Sequence, residues 1–102
     1  MGFEIRLEDE FGNKVDAVGD PANFLPRLLP SPEDESFICL RFIDPYGDTV
    51  FNRIQIETFV VEIERILMKT VTSKERQLLE NIQALAERCR SEPHSYVKFY
   101  GD

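Results

Sequence analysis

Residues 56–91, IETFVVEIERILMKTVTSKERQLLENIQALAERCRS, decide the fold. Ile56, Phe59, Val60, Ile63, Ile66 and Leu67 recur at intervals of 3, 1, 3, 3 and 1, which lays one apolar stripe along a helix of about four turns. Thr72-Ser-Lys-Glu75 has the form of a capping box: the Thr hydroxyl accepts from the third helical N–H while the Glu reaches back. Leu78, Leu79, Ile82, Leu85, Ala86 and Cys89 mark the buried face of a second helix, and Pro93 forbids helical geometry at Glu92. The spacing predicts helices over 56–69 and 73–91. Val71 lies in the connection, which is short enough to make them antiparallel neighbours.

On either side the period changes to two. Upstream, Phe37-Ile-Cys-Leu-Arg-Phe-Ile43 is nearly continuous apolar sequence, as expected of a central strand covered on both faces. Asp44-Pro45-Tyr46-Gly47-Asp48 supplies turn residues, so Thr49 to Ile54 should return antiparallel and complete a hairpin over Phe37–Ile54. Downstream, Ser95 to Tyr100 reads as a last strand, with Val97 and Phe99 alternating against Tyr96, Lys98 and Tyr100. At the other end Phe3, Ile5 and Leu7 alternate with Glu4, Arg6 and Glu8 as a half-buried strand. A turn around Gly12 and Asn13 follows, and then a short returning strand over Lys14 to Val18. Asn23 as N-cap and Pro26 in the first turn permit a short helix over Phe24 to Leu29, closed by Pro30 and Pro32.

The expected fold is therefore α+β, a mostly antiparallel sheet with an antiparallel helix pair packed on one face, and residues 1–102 form a single domain. Its core should contain Ile5, Leu7, Ile38, Leu40, Phe42, Phe51, Phe59, Ile63, Ile66, Leu78, Ile82, Leu85, Val97 and Phe99.

Charge is segregated along the chain. The net −7 falls wholly in residues 1–51, which hold 11 acids and 4 bases, whereas residues 52–102 hold 8 of each. Such asymmetry acts on partners: it favours a basic protein and disfavours contact with phosphate backbones. The four bases Lys74, Arg76, Arg88 and Arg90 share their helix with Glu75, Glu80 and Glu87, so they read as a salt-bridged solvent face rather than a nucleic-acid surface. No apolar run approaches a membrane span, and the N-terminus lacks the basic-then-apolar order of a secretory signal. Gly2 is not read as a myristoylation site because position 6 is Arg. Cys39 and Cys89 sit inside apolar patterns as small buried hydrophobes, which suits a reducing, cytoplasmic setting.

Little in the chain points to catalysis. His94 is the lone histidine, in a loop, and two distant cysteines with it do not make a zinc site. Asp44 to Asp48 lacks the alternating acids of a calcium loop. The 5 glycines are scattered, so no phosphate-binding loop is present. Arg41, inside the expected central strand, calls for a carboxylate partner or an escape to the edge. No catalytic, metal or cofactor residues are assigned.

The expectation is a small acidic, non-enzymatic protein-binding module for a basic partner, with an immunity- or inhibitor-type protein as its sharpest version. The candidate contact residues are Glu8, Asp9 and Glu10, Glu33, Asp34 and Glu35, and the strand-face trio Tyr96, Lys98 and Tyr100. The alternative is a homodimeric adaptor that self-associates through the C-terminal strand, by its edge or its tyrosine face. A third class is a small enzyme using paired carboxylates with His94.

Overall fold

A computed structural model describes residues 2–69 and 71–101. The helix pair forms as the apolar spacing requires. Helix α2 spans Arg53–Leu67 and α3 spans Ser73–Ser91, each opened by a complete capping box, Asn52 with Gln55 and Thr72 with Glu75. Their buried faces are Ile56, Phe59, Val60, Ile63 and Ile66 on α2, and Leu78, Leu79, Ile82, Leu85, Ala86 and Cys89 on α3. Helix α2 starts three residues earlier than the stripe alone indicates, because Asn52 is the cap.

Four strands form one antiparallel sheet: β1 (Glu4–Asp9), β2 (Lys14–Gly19), β3 (Asp48–Phe51) and β4 (Ser95–Tyr100), in the order β2-β1-β4-β3. Ile5, Leu7, Val97, Phe99 and Phe51 turn to the helix side and are buried. Phe3, Phe51, Phe59 and Phe99 meet there with ring centroids 5.2 to 6.1 Å apart, three of the four pairs involving Phe99. Between β1 and β2 the register shifts after Leu7, leaving Val15 as an extra residue. Gly12 takes φ +82 in the connecting turn, a conformation most side chains resist. The fold is α+β, with the helix pair on one face of the antiparallel sheet.

Four expectations need correction. First, Phe37–Ile43 is not a strand. It is an irregular strap containing one 3-10 turn, Leu40–Phe42, and β3 pairs with β4 instead. The cause is Glu62, buried on α2, whose carboxylate accepts the consecutive amides of Ile38 (2.6 Å), Cys39 (3.1 Å) and Leu40 (2.9 Å). Successive amides point to opposite sides in a strand, so three that converge on one carboxylate exclude that geometry. Second, Phe37, Cys39, Leu40 and Ile43 are buried, whereas Ile38 and Phe42 are exposed and leave the core list. Third, the short helix α1 (Leu25–Leu28) is not capped by Asn23, which has φ +58; the buried Asp20 carboxylate accepts from the amides of Phe24 and Leu25. Fourth, β4 is an inner strand, flanked by β1 and β3, so it has no free edge.

Candidate functional site

The two acidic runs are more ordered than solvated loops. In the first, Glu8 is buried on β1 and accepts the Tyr100 hydroxyl. It is therefore a structural carboxylate and drops out of the contact set. Asp9 accepts from the amides of Phe11 and Asn13, each at 2.9 Å, and the Asn13 amide holds its carboxyl below the ordinary range. Glu10 is exposed, with an oxygen 3.6 Å from His94 Nδ1.

In the second run Ser31 donates to Glu33 at 2.6 Å and Ser36 donates to Asp34 at 2.6 Å, and these hydroxyls lower both carboxyls. Glu35 is exposed. Glu10, Glu33 and Glu35 thus present charge to solvent from turns whose backbones are fixed by their neighbours.

The uncovered face of the sheet gathers the strand trio. Across β1, β4 and β3 the register aligns Glu4 with Tyr100 and Asp48, Arg6 with Lys98 and Val50, and Glu8 with Tyr96. Arg6 pairs with Glu4 at 3.0 Å and Lys98 lies 3.8 Å from Asp48. Both cations sit over the Tyr100 ring, at 4.6 and 4.7 Å. Tyr100 is held by both cations and by Glu8, so it is part of the sheet's own network. Tyr96 shares the face but not these contacts, and it is partly buried.

Groups with chemical potential elsewhere do not converge. His94 has φ +59 and a largely exposed ring. It lines a groove of about 410 Å³ together with Asn52, Arg53, Ile54, Pro93 and Tyr96. Burial pushes the thiols of Cys39 and Cys89 up to about 11, so neither is a thiolate at neutral pH. Among the described residues Arg41 has no carboxylate partner; it donates to the Pro32 carbonyl at 3.0 Å and stacks on Phe42. A second groove of about 460 Å³ runs between β2 and α3, with Asp16 and Arg88 paired across it at 3.0 Å. Among the described residues no group of three or more His, Cys, Asp or Glu side chains could hold a metal ion, and no helix is long and apolar enough to cross a membrane.

One surface escaped the sequence reading. Ile54 and Val61 on α2 and Met68 at its C-cap stand 84%, 57% and 87% exposed, seven residues apart, opposite the buried stripe. Ile38 and Phe42, 62% and 59% exposed, emerge from the strap held against the neighbouring side of the helix. The available signal was the seven-residue spacing itself, obscured because the stronger apolar stripe claimed the helix. No family model, curated protein or solved structure matches the chain.

Proposed function

We propose that this chain is a non-enzymatic protein-binding module whose target is a basic protein. The observation that carries this reading is the placement of Glu10, Glu33 and Glu35: exposed, in fixed turns, within the half of the chain that holds all the net charge. Ordered carboxylates keep their field in one geometry, which favours steered encounter and limits the entropy lost on docking. The sharpest form is an inhibitor of the immunity type, whose carboxylates occupy a site that otherwise accepts phosphates. The test is affinity capture from the native cell followed by binding at graded salt. A basic protein whose affinity falls as salt rises supports the reading; recovery of none, or salt-indifferent binding, overturns it.

A homodimeric module is the second reading, favoured by the uncovered sheet face that carries Tyr96. The edge of β4 is not available for it. Light scattering at two concentrations distinguishes the two. Tyr96→Asp is the informative variant, because Tyr100→Asp would also strand the buried Glu8.

A further inference from the structure

The exposed aliphatic side chains of α2 are not scattered. At 100° per residue, Ile54, Val61 and Met68 fall within a narrow strip of the helix surface, opposite its buried stripe. Isolated surface apolar residues need no explanation, but several aligned on one element mark an interaction surface. Ile38 and Phe42 widen the strip on one side, since Glu62 and Arg65 tie their strap to the adjacent helix face.

The two flanks of the strip differ in charge state. Glu57 precedes Val61 by four residues and Glu64 follows it by three, so both adjoin the strip on the side away from the strap. Both are exposed, and among the described residues neither has an ion-pair partner. On the strap side, Arg65 is already engaged: it donates to the Ser36 carbonyl at 2.6 Å and lies 3.9 Å over the Phe37 ring. The strip thus offers apolar contact bordered on one side by the exposed Glu57 and Glu64. The cation Arg53 stands at the N-terminal end of that border, which keeps an excess of negative charge.

We propose that the outward face of α2, with Ile38 and Phe42, is the docking surface for a basic amphipathic segment of a partner protein. Apolar residues of that segment cover Ile54, Val61 and Met68 while its Lys or Arg side chains meet Glu57 and Glu64. This rests on the protein-binding reading above and adds the location and the form of the partner. A second copy of the chain is the poorer occupant. Each copy carries net −7, and an antiparallel two-fold crossing on this strip sets Glu57 and Glu64 against their own equivalents.

The experiment is a methyl-labelled NMR titration of the full chain with two synthetic helical peptides that share leucine positions, one with Lys and one with Glu at the polar positions. The Lys peptide should shift Ile38, Ile54, Val61 and Met68, and the Glu peptide should not at the same concentrations. Val61→Asp and Ile54→Ser should each weaken the Lys peptide at least about tenfold, with melting temperatures near wild type to exclude misfolding. Equal binding of both peptides overturns the charge assignment. Shifts confined to residues 33–35 remove this face, as does a self-associated species lost on Val61→Asp, which would name a second copy as the occupant. If a captured basic partner binds Val61→Asp as well as wild type, the docking face is wrong while the protein-binding reading stands.

Discussion

Glu62 shows how one side chain can override the pattern around it. Its neighbours on the helix gave no warning, since Glu at position 62 fits an ordinary solvent-facing site. In the fold it is buried and collects three amides of the strap, of which those of Cys39 and Leu40 would otherwise be buried without partners. Glu62→Ala should therefore cost about 3 kcal/mol in urea denaturation, more than a surface Glu such as Glu57, where a change within ~0.5 kcal/mol is expected. A loss under about 1 kcal/mol would mean the strap is held by its apolar residues alone.

Glu75 is another of the buried carboxylates, and it makes stability depend on pH. It accepts the Thr72 amide at 2.9 Å and both Arg27 contacts, at 2.9 and 3.1 Å. The Thr72 amide first, and Arg27 after it, hold its carboxyl below the ordinary value of 4.5. A carboxyl depressed in the folded state stabilises above its unfolded value, and that contribution is lost as pH falls through the folded one. The melting-temperature gap between wild type and Glu75→Gln should be constant near neutrality and should close as pH drops below about 4.5. A gap that persists unchanged to pH 3 would remove this carboxylate from the acid response.

At the scale of elements, α3 and β4 were legible because their signals are local: an apolar period, a capping box and a proline after the last turn. The strap was not. Phe37 to Ile43 has strand-forming composition, but its conformation is set by a carboxylate more than twenty residues away, and no short-range pattern carries that information. The place of β4 in the sheet was likewise a matter of topology. Its position between β1 and β3 is secured by pairing along both edges. Just beyond it, Gly101 donates to the Gly47 carbonyl at 2.7 Å, and a Cβ at 101 would lie 2.6 Å from the Pro45 carbonyl oxygen and 2.7 Å from those of Asp44 and Gly47. Gly101→Ala should therefore release the 44–48 turn, seen as faster amide exchange at Tyr46 to Asp48 with α3 unaffected. Unchanged exchange there would show that the turn holds itself through Asp44 and Thr49.

For the whole molecule, apolar periodicity carried the fold class and composition the charge balance, but neither could place the site. The acidic runs were visible, yet which carboxylates face solvent depended on the sheet: Glu8 went inward to Tyr100 while Glu10 stayed out. The apolar face of α2 was hidden for a related reason, since exposure of Ile54 and Met68 depends on what the tertiary fold leaves uncovered. Long-range charge and short-range apolar contact should then separate kinetically. Carboxylates at the periphery act on association, whereas buried apolar contacts act on dissociation. The most direct measurement is the association rate of the captured partner with wild type and with the double variant Glu33→Lys, Glu35→Lys, at low and at high salt. Association should slow severalfold for the variant at low salt, with the difference vanishing at high salt. An association rate unchanged at low salt would contradict a steering role and leave the acidic half as a solubilising surface.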